Sequence, residues 1–171
     1  VGGSTLVEAL LFWKCLTQSH QSVLVMADKK SHASNMMAMV ETYYRTLSET
    51  LPESRIPVLG TATKSELRFG LGRSETKPAG RVRKKQAQQD RKDKNPLRPV
   101  LNSTYSIQTA ASNLDVRSFT ASALHGSEVA FWPDPERNWL ALAQCVPDSP
   151  GSIIVLESSA NGAGDFFERF W

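Results

Sequence analysis

Glu128 is a carboxylate at the end of an apolar stretch, within the sequence SALHGSEVAFW. A carboxylate that a strand end holds rigidly is suited to polarise a water molecule that attacks the γ-phosphate of a nucleotide. The residue before it is Ser127, at a position where such a strand usually carries an aspartate that holds Mg²⁺. A serine hydroxyl is neutral and is a weaker ligand for this hard cation. The alternative interpretation is an acid that only caps a turn at the strand terminus.

A second polar stretch, Gly2-Gly3-Ser4-Thr5, precedes an apolar helical pattern. The free N–H groups and the positive dipole end at the start of a helix bind phosphate readily. Compared with the pattern G-x-x-x-x-G-K-[ST], the chain has Gly2, then Gly3 where lysine is expected, and then Ser4 and Thr5. On its own, such a turn is equally typical of an ordinary helix N-cap.

A third polar stretch, with Ser158, Ser159 and Asn161, follows an apolar run over 153–156. Around these stretches, the spacing of apolar residues alternates between helical and strand patterns. It predicts helices over 5–18, 28–51 and 133–146, and strands over 22–27, 103–110, 118–127 and 153–156. This alternation predicts an α/β fold with a mainly parallel sheet. Because ligands gather beyond the carboxyl ends of parallel strands, we expect the three polar stretches to surround one crevice.

Residues 73–99 interrupt this alternation, with almost no large apolar side chain. Between Arg81 and Arg98 there are eight lysines or arginines against two aspartates. One interpretation is a solvated, flexible insertion. The other is a loop that contacts the phosphates of nucleic acid without sequence specificity, because the segment has cations but no aromatic residue for base stacking. The residues that would make these contacts are Arg81, Arg83, Lys84 and Lys85.

Bulk composition limits the remaining classes of protein. A chain of 171 residues is long enough for one domain with a real core, and its formal charge is only +3. Cys15 and Cys145 are far apart and outside any CxxC pair, which argues against a zinc site or a disulfide framework. No apolar run approaches the ~20 residues that cross a bilayer. The sequence begins and stops within motifs, which predicts a fragment of a longer protein.

Taken together, these stretches resemble the ATPase domain of the large terminase subunit of tailed bacteriophages, the motor that packages DNA. GGSTLVEALLFW is similar to the end of that family's Walker A motif, and SFTASALHGSEVAFW to its Walker B strand. GSIIVLESSANGAGDFFERFW is similar to its third motif, which couples hydrolysis to movement. The resemblance implies a P-loop NTPase-type three-layer fold, incomplete at both ends. It also implies a single truncated ATPase domain over 1–171, with a flexible basic insertion over 73–99.

The resemblance also implies the cofactors ATP and Mg²⁺ and a role for each residue. The residues that would cradle phosphates are Gly2, Gly3, Ser4 and Thr5. Those that would hold the metal are Ser4 and Ser127. Those that would act in catalysis are Glu128, as the catalytic carboxylate, and Arg117, which would stabilise transition-state charge in cis. Those that would sense the γ-phosphate are Ser158, Ser159 and Asn161.

The partners that the resemblance implies are double-stranded DNA, the portal protein, the small terminase subunit and further copies of the chain in a ring on the portal. The protein would act in the host cytoplasm, on the procapsid, and not in a membrane. Two alternatives stay open. One is a helicase-like P-loop ATPase, and the other is a degenerate, non-catalytic module that binds nucleotide or DNA.

Overall fold

A computed structural model describes residues 2–70, 99–111 and 119–170. Within this part of the chain there are six strands: β1 (Ser22–Ala27), β2 (Leu59–Ala62), β3 (Glu66–Phe69), β4 (Ser103–Thr109), β5 (Ala123–Ser127) and β6 (Ile153–Glu157). The α-helices of the same part are α1 (Gly3–Thr17), α2 (Lys30–Thr50), α3 (Pro135–Ala143) and α4 (Phe166–Phe170). Short 3₁₀ turns cover Glu53–Arg55 and Val129–Phe131.

The strands form one sheet in the order β2-β3-β4-β1-β5-β6. Strands β4, β1, β5 and β6 are parallel to one another, whereas β3 is antiparallel to β4 and β2 is antiparallel to β3. The carboxyl ends of the four parallel strands therefore lie at one edge of the sheet. The sequence analysis did not predict the hairpin of β2 and β3, because Leu59–Ala62 is short, largely exposed and without regular apolar alternation.

Strand β1 shows why the fold has three layers, because its successive side chains are buried on opposite faces. Val23 and Val25 pack in one apolar cluster with residues of α1 and α2. Leu24 and Met26 pack in a second cluster with Leu142 of α3. Helices thus cover both faces of a mainly parallel sheet, which confirms the predicted α/β fold.

Helix α1 begins two residues earlier than predicted, at Gly3, so that Ser4 lies in its first turn. Gly2, just before it, has a φ of 106°. Glycine adopts this left-handed conformation without a steric penalty. The first helical bond runs from Leu6 N to Gly2 O. The amide groups that precede Leu6 are therefore not used within the helix.

Most of the predicted basic insertion over 73–99 lies outside the described residues. In the described part of the chain, no helix has both the length and the apolar character needed to cross a membrane.

Candidate functional site

The three polar stretches meet at the carboxyl edge of the sheet. Ser4 Oγ donates a hydrogen bond of 2.6 Å to Glu157 Oε1, and Ser127 Oγ donates one of 2.7 Å to the same oxygen. On the adjacent loop, Ser159 N donates to Glu128 Oε2 at 2.9 Å. The structure thus brings together the start of α1, the end of β5 and the loop after β6.

Glu128 has an unusual backbone conformation. Its φ of 53° and ψ of 47° lie in the left-handed region, which costs a non-glycine residue roughly 1–2 kcal/mol. Its carboxylate also accepts hydrogen bonds from Ser159 Oγ at 3.2 Å and from Ser158 Oγ at 3.5 Å. The half-buried side chain is therefore directed across the edge toward the loop that follows β6.

Close packing fixes the end of β5. A Cβ atom on Gly126 would lie 2.7 Å from Leu156 Cδ2 and 3.0 Å from the Trp132 ring, so any larger residue there would force these side chains to shift. Trp132 Nε1 also donates to Ser127 O at 2.9 Å. These contacts hold the peptide that carries Glu128 in one place.

The loop after β6 is attached to the turn after β5 by more than the Glu128 carboxylate. Ala130 N donates to Ser158 Oγ at 3.1 Å, and Asn161 Nδ2 donates to Ala130 O at 3.0 Å. Asn161 N in turn donates to Asp165 Oδ2 at 2.8 Å, next to the start of α4. A displacement of the Glu128 turn would therefore be transmitted to this loop.

Sequence analysis assigned no role to Glu157, the last residue of β6. Glu157 lies directly across from Ser127 in the register of β5 and β6, and its side chain is 27% exposed. Its interaction with His125 lowers its pKa to about 2, and the hydroxyls of Ser4 and Ser127 add to this effect against the opposing effect of burial. The carboxylate is therefore charged wherever the protein is folded near neutral pH.

Beneath Glu157 lies a fully buried polar cluster of Glu8, Tyr105 and His125, which we call the buried cluster. His125 Nδ1 donates to Glu8 Oε1 at 2.6 Å, and the Tyr105 hydroxyl donates to Glu8 Oε2. His125 Nε2 has no hydrogen bond within the described residues, but it lies 3.5 Å from Glu157 Oε1. The ring thus stands between two carboxylates.

These carboxylates control the protonation of His125. Burial alone would lower the pKa of the imidazole, but the adjacent Glu157 carboxylate and the hydrogen-bonded Glu8 outweigh it and raise that pKa. Burial, reinforced by Glu8, also raises the pKa of Tyr105 well above its ordinary value. The arrangement is a series that runs from the Glu157 carboxylate through the His125 ring to Glu8, with the neutral phenol of Tyr105 at its inner end.

Spacing in the sequence shows which face of its element Glu8 or His125 occupies, but not that the two side chains meet. Glu8 lies four residues after Ser4, and therefore on the same face of α1. His125 lies two residues before Ser127, and therefore on the same face of β5. Glu8, Glu157 and His125 each interrupt an apolar pattern. A charged group at such a position has to be paired when it is buried.

The other predicted site residues divide into two sets. Gly3 and Thr5 are exposed at the start of α1, and Thr5 O accepts a 3.3 Å hydrogen bond from the Tyr43 hydroxyl. In the part of the chain that the structure describes, neither residue forms a hydrogen bond with Glu128 or Glu157. The predicted residues that lie outside the described part of the chain are Arg81, Arg83, Lys84, Lys85 and Arg117.

The chemistry of the edge fits Mg²⁺ only together with a nucleotide. The hydroxyls of Ser4 and Ser127 and the Glu157 carboxylate are hard oxygen donors of the kind that Mg²⁺ prefers. Among the described residues, however, no group of three or more His, Cys, Asp and Glu side chains could hold a metal ion. Mg²⁺ commonly binds through one or two carboxylates plus substrate phosphates and waters, and the single carboxylate of Glu157 with two hydroxyls beside it is compatible with this.

A cavity of about 330 Å³ lies elsewhere, at the amino ends of the strands. Its lining includes Ser22, Ser122 and Lys14. Lys14 Nζ donates to Gln18 Oε1 at 3.0 Å and to Gly151 O at 3.1 Å. This cavity is at the opposite end of the strands from Glu128, and it takes no part in the candidate site.

A similar arrangement of strands and helices is found in solved structures of phage large terminases. The large terminase of bacteriophage HK97 matches 99% of this chain with a TM-score of 0.61 and 10% sequence identity. The chain has the fold of a terminase ATPase domain. The large terminase ATPase domain of Thermus phage P74-26 matches 94% of the chain with a TM-score of 0.53 and 13% identity.

The likeness is one of fold, because the identities are far below those that establish a shared activity. The chain spans 29% of the HK97 protein and 57% of the P74-26 domain. No protein-family model matches the sequence, and no curated protein is significantly similar to it. The comparison confirms the fold that the sequence motifs imply, and the roles of individual residues rest on the geometry of the site.

Proposed function

We propose that this chain is the ATP-hydrolysing motor domain of a phage large terminase, which drives double-stranded DNA into a procapsid. The observation that carries the proposal is the meeting of the α1 start, Glu128 and the loop after β6 at the carboxyl edge of a terminase-like sheet. In sheets of this kind, that edge is where ligands bind.

The start of α1 supplies the phosphate-binding part of the proposed site. Gly2 turns the chain, and the amide groups before Leu6 have no helical partner, so they are free to donate to phosphate oxygens. Gly3 and Thr5 belong to the same turn. Ser4 and Ser127 supply hydroxyl oxygens to the metal. Bound Mg²⁺ would neutralise part of the charge on the phosphates.

Glu128 is the proposed catalytic carboxylate. It orients a water molecule and accepts its proton as the water oxygen bonds to the γ-phosphorus. The bond from that phosphorus to the bridging oxygen of ADP breaks, and the products are ADP and phosphate. The hydrogen bond from Ser159 N and the left-handed turn at Glu128 keep the carboxylate in one orientation before ATP binds. Arg117 is proposed to stabilise transition-state charge.

Ser158, Ser159 and Asn161 are proposed to couple hydrolysis to movement. All three contact the turn that carries Glu128, through bonds to Glu128 or to Ala130. A change at the γ-phosphate that displaces Glu128 would alter these bonds and move the loop toward α4. The proposed partners in this movement are DNA, the portal protein, the small terminase subunit and neighbouring copies of the chain in a ring. The work would take place in the host cytoplasm.

Replacing Glu128 tests the enzymatic proposal. In the full-length parent protein that contains this sequence, Glu128→Gln should lower phosphate release from Mg·ATP by about 10²- to 10⁴-fold. Binding of a fluorescent ADP analogue should stay within about threefold of wild type, because this variant keeps the shape of the side chain. Glu136→Gln, which alters an exposed acid on α3, is the matched control.

Three outcomes would contradict the proposal. Undiminished turnover in Glu128→Gln would remove this residue from catalysis. A wild-type protein that binds nucleotide without hydrolysing it would instead identify the non-catalytic module. DNA unwinding by the wild-type protein would favour the helicase-like alternative.

The DNA contact of the basic residues is a separate proposal. Replacing Arg83, Lys84 and Lys85 together by alanine should weaken DNA binding, and it should reduce the slope of log affinity against log salt by roughly 2–3. Fluorescence anisotropy across a salt series measures both. Equal affinity at every salt concentration would show that the segment is only a solvated insertion.

A further inference from the structure

The site has Ser127 at the position where a carboxylate beside the metal is expected. It has a carboxylate, Glu157, at a position on the neighbouring strand where none is expected. Ser127 and Glu157 are paired residues of adjacent strands, and their side chains are joined by a 2.7 Å hydrogen bond. We propose that Glu157 supplies the negative charge that anchors Mg²⁺ through Ser4, in place of the aspartate missing at position 127. This inference rests on the proposed function.

The hydrogen bond between Ser4 and Glu157 carries the first step. A hydroxyl that gives a lone pair to a cation has to direct its proton at an acceptor. Glu157 Oε1, at 2.6 Å from Ser4 Oγ, is that acceptor. The bond therefore leaves a lone pair of Ser4 available to the metal, and it places a formal negative charge next to that hydroxyl.

The surroundings of Glu157 carry the second step, because they fix its orientation. His125 Nε2 lies 3.5 Å from the same oxygen, is fully buried and has no hydrogen bond to any residue that the structure describes. The other ring nitrogen is bonded to Glu8, which is itself bonded to Tyr105. A partner behind a metal-site carboxylate holds it in place, and losing such a partner typically lowers metal affinity about 10- to 100-fold.

The partial exposure of Glu157 carries the third step. The buried cluster is closed to solvent, whereas 27% of the Glu157 side chain is exposed. Glu157 is thus the outermost member of the series, and the one that faces the start of α1. A carboxylate that served only to pair with His125 would not need bonds from both flanking hydroxyls.

Metal affinity in the presence of nucleotide tests the proposal without relying on turnover. Electron paramagnetic resonance of free Mn²⁺, with saturating ADP present, measures this affinity. Glu157→Gln should bind Mn²⁺ about 10- to 100-fold more weakly than wild type. ADP binding in EDTA should be unchanged or slightly tighter, because a negative charge near the phosphates has been removed. Glu136→Gln is the control and should match wild type.

A rescue variant tests whether the loss of Mn²⁺ affinity comes from the missing charge or from a disturbed fold. The double variant E157Q/S127D moves the carboxylate to the neighbouring strand, and it should recover most of the lost Mn²⁺ affinity. E157Q/S127N, which has the same shape without the charge, should not. Wild-type Mn²⁺ affinity in a folded E157Q would overturn the inference while leaving the proposed function intact. A wild-type protein that binds no ADP with or without metal would contradict the proposed function itself.

A crystal structure of the wild-type protein with ADP and Mn²⁺ needs no variant, should E157Q fail to fold. Anomalous scattering would locate the metal. The proposal requires the Glu157 carboxylate in its first or second coordination shell, roughly 2 to 4.5 Å away. A metal beyond that distance would overturn the inference.

Discussion

The two carboxylates at the carboxyl edge, Glu128 and Glu157, follow adjacent strands but are held in opposite ways. Glu157 ends a regular strand, and its carboxylate lies near side chains from α1 and β5. Glu128 sits in a strained left-handed turn, and its hydrogen bonds come from a single exposed loop. The first arrangement fixes a charge against the core, and the second leaves a charge that can move with a loop. The proposed coupling of hydrolysis to movement would use one group of each kind.

The largest effect should follow from removing the support of Glu157. Glu8→Ala would leave the Tyr105 hydroxyl and the His125 ring buried without their partner. Breaking a buried pair in this way costs about 3–5 kcal/mol. Urea unfolding measures the change, with Glu41→Ala on the exposed side of α2 as the control. If Glu8→Ala lowers the free energy of unfolding by less than about 1 kcal/mol, Glu157 is no more firmly attached to the core than Glu128.

The pH dependence of stability should separate the same two groups. Because the pKa of His125 is raised, its contribution is complete below its ordinary value of 6.5 and is lost as pH rises through the folded value. Because the pKa of Glu157 is lowered to about 2, its contribution is complete above its ordinary value of 4.5 and is lost as pH falls. The pair therefore stabilises the fold fully between pH 4.5 and 6.5.

Urea unfolding of wild type from pH 5.5 to 9 measures this dependence. We expect the free energy of unfolding to decline on the alkaline side, and His125→Gln to remove that decline. His20→Asn, at an exposed histidine with a left-handed backbone, should keep it. An identical decline in wild type and His125→Gln would place the titrating group elsewhere.

The smallest effect should come from exchanging alanine for glycine, which changes the backbone preference alone. The resulting change in stability should have opposite signs at positions 128 and 157. At position 128, glycine should be more stable than alanine by about 1 kcal/mol, because the left-handed conformation penalises any side chain. At position 157, alanine should be more stable than glycine by about 0.5–1 kcal/mol, because glycine weakens a strand. Thermal unfolding of the four variants gives both differences. The same sign at both positions would show that Glu128 is not strained.

Local sequence patterns predicted most of the elements and the place where the site forms. The apolar run 22–27 was predicted as a buried strand, and the structure has β1 at the same residues. The expectation that the polar stretches would converge needed only the direction of parallel strands. The pairing of Ser127 with Glu157 needed more, because register between strands distant in sequence is set by tertiary packing. The buried cluster was missed for the same reason, since Glu8 meets His125 only after α1 has docked on the sheet.

The polar bonds of α1 show which parts of the domain can move. Ser4, in its first turn, is bonded to the carboxyl end of β6, and Lys14, near its last turn, is bonded to Gly151, just before the amino end of the same strand. The helix is therefore clamped to one strand at two points about 15 Å apart, from a rise of 1.5 Å per residue. Sliding of the helix along the sheet would break both clamps at once. In the proposed motor, α1 and β6 would move as one rigid unit, and a displacement at the nucleotide would be transmitted through the loop after β6.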